Sequence, residues 1–126
     1  MSTDLVTIAR ACYQAYVDKD RAAIASLIAD DFHFTSPLDN RLDRATYFER
    51  CWPNSQAIAG FEFSHLVADG NKVFVTYDGR NTNGARFRNT EILTVRDDKI
   101  ADAEVYFGWS IPHDAPKGEF VDRKDG

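Results

Sequence analysis

The sequence predicts a single α+β domain in which a strongly curved, mainly antiparallel sheet wraps around helices from the N-terminal half. Two observations support this fold class. Apolar residues first recur at helical spacing, and from Phe61 onward apolar and polar residues alternate between turn-forming dipeptides. The 126 residues, 44% of them hydrophobic, provide a core for one domain and not for two.

Three helices are predicted before the main run of strands. The first covers residues 3–18 after a Ser2–Thr3 cap, and its buried stripe ends in Tyr13 and Tyr16. Two shorter helices follow, each with an aspartate in the cap position, at Asp20 and Asp43. We expect the three helices to present apolar faces to the sheet.

The predicted strands comprise one short strand and a four-stranded meander. Alternation over Phe32–Ser36 places Phe34 and Ser36 on one face with Phe32, and Pro37 ends the strand. The meander is predicted over four segments, at residues 61–68, 72–80, 86–96 and 100–109. Consecutive strands joined by short turns are expected to pair antiparallel.

The Asn83–Gly84 pair predicts a two-residue type I′ turn in the middle of this meander. Counting outward from such a turn, Thr76 faces Glu91 and Asp78 faces Asn89 on one side of the ribbon. Acids and an amide among apolar neighbours are costly to bury without partners. This face is therefore predicted to line the functional site.

Composition argues against several classes of function. A net charge of −5 and the lack of any run of basic and aromatic residues disfavour nucleic acid as a partner. The chain shows no signal peptide or apolar run of bilayer length, so a soluble cytoplasmic protein without membrane contact is expected. No glycine-rich phosphate loop or metal-ligand cluster appears, so neither a cofactor nor a metal is expected. Cys12 and Cys51 are interpreted as thiols packed on helices.

Four strings stand out within this order of elements: AIASLIADDFHFTSP, RATYFERCW, FRNTEILTVRDDKI and ADAEVYFGW. Over about residues 4–110 the chain resembles the nuclear-transport-factor-two-like superfamily, and in particular its SnoaL-like and ketosteroid-isomerase-like bacterial branch. The resemblance implies a cone-shaped barrel with an internal cavity, a single domain over residues 1–111 and a polar tail over 112–126. It also implies a homodimer that packs through the outer face of the sheet.

The resemblance also implies a chemistry. Ketosteroid isomerases combine a carboxylate base with a tyrosine and a protonated acid that donate hydrogen bonds to the developing enolate. Tyr13 matches the tyrosine position and Glu91 matches the oxyanion acid. The base position, before Pro37, is occupied by Ser36, which cannot serve as a carboxylate base at neutral pH. Asp39, three residues further on, is the alternative carboxylate, and its competing explanation is turn formation.

The predicted ligand-binding residues share the cavity-facing positions of this fold: Trp52, Thr76, Asp78, Asn89, Phe34, Ser36, Phe107 and Trp109. Structural explanations stay open for each candidate. Glu91 is equally suited to an ion pair with Arg80 or Arg88, and Asp78 to a cross-strand contact. The aromatic residues are equally suited to a core.

Three functions therefore remain open at this stage. The first is a cofactor-independent isomerase, cyclase or dehydratase that uses acid–base chemistry on a small, largely apolar carbonyl or hydroxy compound. Its catalytic residues are Glu91, Tyr13 and Asp39. The second is a non-catalytic module that binds a small apolar or aromatic ligand, and the third is a structural dimer or protein-interaction domain.

Overall fold

The structure is a computed structural model that describes residues 4–122, so the cap predicted at Ser2–Thr3 lies outside the described residues. Its helical elements are α1 (Leu5–Asp18), α2 (Arg21–Leu27), α3 (Arg44–Arg50) and a 3-10 segment (Trp52–Ala57). Its strands are β1 (Ile28–Ser36), β2 (Asp39–Asp43), β3 (Ile58–Asp69), β4 (Lys72–Asn81), β5 (Arg86–Arg96) and β6 (Lys99–Ile111). The predicted α+β class is confirmed.

Local polar contacts define where the short helices begin. The Asp20 carboxylate accepts a hydrogen bond of 3.0 Å from the backbone N–H of Ala23, and the Asp43 carboxylate accepts one of 2.9 Å from that of Thr46. Each bond satisfies a backbone donor that the first helical turn leaves free. Both predicted caps are therefore confirmed. Among residues 4–122, no helix is long and apolar enough to cross a membrane.

The six strands form one curved sheet in the order β2-β1-β6-β5-β4-β3. All neighbours are antiparallel except β1 and β6, which run parallel. Strand β2 was not predicted, because DNRLD is poor in strand-forming residues. It forms because a two-residue loop after Ser36 folds the chain back, so that Ser36 pairs with Asp39.

The hairpin between β4 and β5 has a three-residue loop, so the predicted two-residue turn at Asn83–Gly84 is wrong. Asn81 N–H donates to the Ala85 carbonyl at 2.8 Å, and Gly84 takes a φ of 91° in the third loop position. Loops of this length place one residue, usually glycine, in the left-handed region. The two-residue loop with positive φ at both positions lies instead at Asp97–Asp98, with φ values of 54° and 62°.

The extra loop residue shifts the register between β4 and β5 by one. Glu91 pairs with Val75, and Asn89 pairs with Tyr77. A shift of one residue transfers every side chain of a strand to the other face relative to its partner. Thr76 therefore does not accompany Glu91 on the inner face, as the sequence analysis expected.

The core lies between the inner face of the sheet and the helices. Its largest fully buried apolar side chains are Ile24 of α2, Val73 and Val75 of β4, and Ile100 of β6. The same inner face continues past this packed region towards α1 and α3, where it is lined by aromatic side chains and a few polar groups. The packed end holds the sheet and helices together, and the less tightly filled end forms a cavity.

Candidate functional site

A cavity of about 250 Å³ lies between the sheet and helices α1 and α3. Most of its lining is aromatic or aliphatic and comes from the two helices and from strands β1, β3, β4, β5 and β6. Five polar side chains that were predicted for the site face this space: Tyr13, Ser36, Asp39, Asn89 and Glu91. A mainly apolar pocket with a few convergent polar groups is the usual form of a small-molecule site.

Glu91 lies on the inner face of β5, paired with Val75 on one side and Val105 on the other. Both valines are buried, so the carboxyl group has apolar neighbours along the sheet. Burial raises the pKa of Glu91, and the hydroxyls of Tyr77 and, more weakly, Tyr13 act in the opposite direction. The protonated form of Glu91 therefore persists to higher pH than that of an ordinary glutamate.

A chain of three hydrogen bonds orients this carboxyl group. The Gly108 N–H donates to Asn89 Oδ1 at 3.2 Å, and Asn89 Nδ2 donates to Tyr77 Oη at 3.4 Å. Tyr77 Oη–H in turn donates to Glu91 Oε2 at 2.6 Å. With Oε2 the acceptor in this chain, Oε1 is the oxygen left free to carry the proton of neutral Glu91. Neutral Glu91 is then a hydrogen-bond donor through Oε1.

The hydrogen bond from the Gly108 N–H to Asn89 forms because the backbones of β5 and β6 approach each other closely at Gly108. The pairing of β5 with β6 shifts by one residue between Phe87 and Asn89, at a bulge. A Cβ atom on Gly108 would lie 2.1 Å from the Arg88 carbonyl oxygen, so only glycine fits there. Gly108 is therefore the residue that brings a backbone donor to Asn89.

Tyr13 extends from α1 towards the same carboxyl group. Its side chain is 5% exposed, and its ring packs edge-on against Phe61 and Phe63 at centroid distances of 5.1 and 5.3 Å. Burial, followed by the negative charge of Glu91, raises the pKa of Tyr13. Its hydroxyl lies near the Glu91 carboxyl group but makes no hydrogen bond of standard geometry to any residue from 4 to 122. A buried hydroxyl without a partner is unusual in proteins and is available to a ligand.

Ser36 and Asp39 form a second polar group of the cavity, at the turn between β1 and β2. Ser36 Oγ donates to Asp39 Oδ2 at 2.7 Å and accepts a bond of 3.0 Å from the Leu38 N–H. Leu38 is 81% exposed and borders the cavity, which places this turn at its mouth. The structure therefore brings Asp39 into the cavity with its carboxylate oriented by Ser36.

The two thiols of the cavity are poor nucleophiles. Burial, followed by the charge of Glu91, raises the pKa of Cys12 far above its usual range. Burial, followed by the charge of Asp39, raises the pKa of Cys51 to about 11. The thiolate is the reactive form of cysteine, so at neutral pH both side chains act as apolar lining.

Seven of the residues predicted for the site line the cavity: Tyr13, Phe34, Ser36, Asp39, Asn89, Glu91 and Phe107. Their catalytic and binding roles stay predictions. The ion pair considered for Glu91 does not form with Arg88, which binds the Asp78 carboxylate through Nε at 2.7 Å. Glu91 therefore faces the cavity without a cationic partner among residues 4–122.

Four predicted ligand-binding residues do not line the cavity. The register shift places Thr76 and Asp78 on the outer face of the sheet, where Thr76 contacts Thr90 at 2.8 Å through its hydroxyl. Trp52 is buried behind the cavity, with its ring against Tyr16. Trp109 lies beyond Phe107 on a shallow neighbouring groove and stays half exposed.

Six aromatic residues that line the cavity were not among the predicted site residues: Tyr16, Phe32, Tyr47, Phe61, Tyr77 and Phe87. Phe87 shares a face of β5 with Asn89 and Glu91 in either register, whereas Tyr77 was missed because of the register shift; a glycine at the third loop position is the feature that would have corrected it. Tyr16 and Tyr47 contact each other through their hydroxyls and link α1 to α3. That contact depends on how two helices pack, which periodicity alone does not reveal.

Comparisons with known structures agree with this architecture. A candidate ketosteroid isomerase from Kribbella flavida DSM 17836 has a TM-score of 0.71 and 19% identity, covering 97% of this chain and 90% of its own. An LEH-like epoxide hydrolase from M. tuberculosis has a TM-score of 0.69 and 18% identity, covering 85% and 84%. IdmH from Streptomyces antibioticus, a candidate polyketide cyclase, has a TM-score of 0.68 and 19% identity, covering 82% and 91%.

These likenesses establish the fold, and the different names of the three proteins show that the fold hosts several chemistries. No curated protein matches the chain. A sequence model of the SnoaL-like domain matches residues 9–103, which span α1 to β6 and include every polar residue of the cavity described above. On this match over most of its length, the chain belongs to the SnoaL-like domain family.

Proposed function

We propose that this protein is a cofactor-independent enzyme that performs acid–base chemistry on a small, largely apolar carbonyl or hydroxy compound bound in the cavity. The observation that carries the proposal is the buried, unpartnered hydroxyl of Tyr13 beside a glutamate of raised pKa. Together, Tyr13 Oη–H and the Oε1–H of neutral Glu91 supply two donors for one ligand oxygen. Isomerisation, cyclisation and dehydration all pass through states that such donors stabilise.

The proton transfer assigns a different role to each polar group. A ligand carbonyl oxygen accepts hydrogen bonds from Tyr13 and Glu91, and the Asp39 carboxylate removes a proton from the carbon beside the carbonyl. The electrons of the broken C–H bond form a carbon–carbon double bond, and negative charge gathers on the oxygen between the two donors. In a ligand whose enolate is conjugated with a second carbon–carbon double bond, return of the proton from Asp39 to the far carbon of that bond moves the double bond, and the electrons on oxygen reform the carbonyl, which completes an isomerisation.

The apolar lining of the cavity supports these roles of the polar residues. Removing water from the site strengthens each hydrogen bond to the developing charge, because the local dielectric is low. The Tyr77 bond keeps the neutral glutamate from turning its proton away from the ligand. The hydroxyl of Ser36 holds the Asp39 carboxylate at the mouth, where a ligand enters.

Hydrogen–deuterium exchange at carbon tests this proposal. Cyclic ketones such as 4-phenylcyclohexanone and 1-decalone are incubated with the protein in deuterated buffer, and loss of the signal beside the carbonyl is followed by NMR. We expect exchange above the buffer rate with the parent, a fall of at least about 100-fold in Glu91→Ala, which removes the donor, and a smaller fall in Glu91→Gln, whose amide still donates. The Tyr106→Phe variant, which removes an exposed tyrosine hydroxyl outside the cavity, is expected to match the parent.

A second function is a binding module without catalysis, and the observation that favours it is the serine at the position before Pro37. Under this alternative Tyr13 and Glu91 only orient a ligand. Ketones would then bind with no exchange above buffer, and Glu91→Gln would change affinity alone. Exchange by the parent that depends on Glu91 rejects the binding module, and binding without exchange rejects the enzyme.

A further inference from the structure

The cavity lining contains acidic side chains and no basic ones. The lining contains two carboxyl groups, Glu91 and Asp39, and two amides, but no Lys, Arg or His. Two cations next to lining residues are engaged elsewhere or exposed. Lys19 Nζ binds the carbonyls of Ile58 and Val17 at 2.7 and 3.2 Å, and Arg50 stands exposed at the end of α3.

The two acids occupy separate parts of the cavity. Thr35 pairs with Glu104 across β1 and β6, so Ser36 stands beside Val105, whose other neighbour is Glu91. The backbone of Ser36 is therefore two strand spacings, or about 10 Å, from that of Glu91. Asp39 lies one strand further, because it pairs with Ser36. A ligand that fills the space between them meets donors at Glu91 and an acceptor at Asp39.

One carboxylate oxygen of Asp39 can accept a hydrogen bond from a ligand. Its Oδ2 accepts the Ser36 hydroxyl, whereas Oδ1 has neither a hydrogen bond nor an ion pair with any residue from 4 to 122. Aromatic rings stand near this turn, because Phe34 precedes it in β1 and packs on Tyr47 at 5.4 Å between centroids. A carboxylate beside aromatic rings suits a hydroxyl or an ammonium group, and it repels a second anion.

Resting on the ligand-binding cavity of the proposed function, we infer that Asp39 determines ligand specificity: the cavity takes compounds with a hydroxyl or ammonium donor near Asp39 and rejects carboxylates and phosphates. An anionic ligand would enter an enclosed space that already holds two acids and supplies no cation. Only neutral donors, and no cation, would offset its desolvation, while the Asp39 carboxylate would repel it. An ammonium ligand gains a charge-assisted hydrogen bond from the same geometry.

Three probes of nearly equal shape test the inference: 2-naphthylmethylammonium, 2-naphthylmethanol and 2-naphthoate. Calorimetric titration measures their affinity for the parent, for Asp39→Asn and for Asp98→Asn. The last variant removes the same charge from a turn outside the cavity, at a φ of 62° that asparagine tolerates. We expect the parent to bind the ammonium at least about tenfold more tightly than the carboxylate. The preference should fall at least about fivefold in Asp39→Asn and persist in Asp98→Asn.

Each other outcome contradicts a defined part of the reasoning. Equal affinity of the parent for carboxylate and ammonium, with the alcohol also bound, overturns the inference on charge and leaves the proposed function intact. A preference that survives Asp39→Asn overturns the role of Asp39. Failure of all three probes to bind, in a parent that is folded by circular dichroism, counts against both the inference and the cavity as a ligand site.

Discussion

Replacing Glu91 by glutamine should change how the stability of the protein depends on pH. Burial raises the pKa of Glu91 above its usual value of 4.5, so the native state holds this proton to higher pH than the unfolded chain does. Between the usual and the raised pKa, the parent therefore loses stability as pH rises, because ionisation is easier in the unfolded state. Glutamine does not titrate, and its side-chain oxygen can still accept the bond from Tyr77.

The size of this effect follows from linkage. One proton retained by the native state corresponds to about 1.4 kcal/mol of unfolding free energy for each pH unit inside that window. For a domain of this size the change is roughly 5 °C in Tm per pH unit. At the acidic end of the window, Glu91→Gln and the parent are expected to have the same free energy of unfolding. As pH rises, the variant becomes increasingly more stable than the parent, and the difference stops growing once the pH passes the raised pKa of Glu91.

Urea unfolding of parent and variant from pH 4.5 to 8 measures the difference directly. The Glu49→Gln variant, on the exposed side of α3, controls for loss of one negative charge and should show no such divergence. A difference between parent and Glu91→Gln that stays constant over this pH range would refute the claim that burial raises the pKa of Glu91.

Three further variants test the surrounding structure by urea unfolding. Gly108→Ala should destabilise the fold by at least about 2 kcal/mol, since its Cβ would lie 2.1 Å from the Arg88 carbonyl oxygen; an unchanged midpoint would contradict the bulge. Ser55→Ala should be neutral or stabilising by up to about 1 kcal/mol, because the buried Ser55 hydroxyl has no partner among residues 4–122; a clear loss would show a missed hydrogen bond. Asp78→Asn should cost less than about 1 kcal/mol at neutral pH. Arg88 lowers the pKa of Asp78, so this cost should vanish as acid protonates the parent's carboxylate; a cost that persists in acid would contradict the ion pair.

Much of the fold could be predicted from local pattern. The caps at Asp20 and Asp43 follow from residue type and spacing, and the meander follows from alternation between turns. The inward face of Phe32, Phe34 and Ser36 also follows, because period two along a short strand admits one assignment. All three face inward in the structure, against the core or the cavity.

The site was harder to predict because it depends on one residue of loop length. The Asn-Gly pair is compatible with a two-residue turn and with the three-residue loop that forms, and the two differ by one residue in register. Glu91 and Asn89 were assigned correctly to the inner face, but their partners on β4 were not. Tyr77, which orients Glu91, was therefore placed on the wrong side of the sheet.

The most direct test of the proposed donor pair compares two ligands on two proteins. Affinities of a cyclic ketone and of the hydrocarbon that replaces its carbonyl by a methylene are measured on the parent and on Tyr13→Phe. The Tyr13 hydroxyl makes no hydrogen bond of standard geometry among residues 4–122, so the variant should fold about as stably as the parent. We expect the ketone to lose about tenfold in affinity and the hydrocarbon to lose none. Equal losses for both ligands, or none for either, would contradict a ligand oxygen bound by Tyr13.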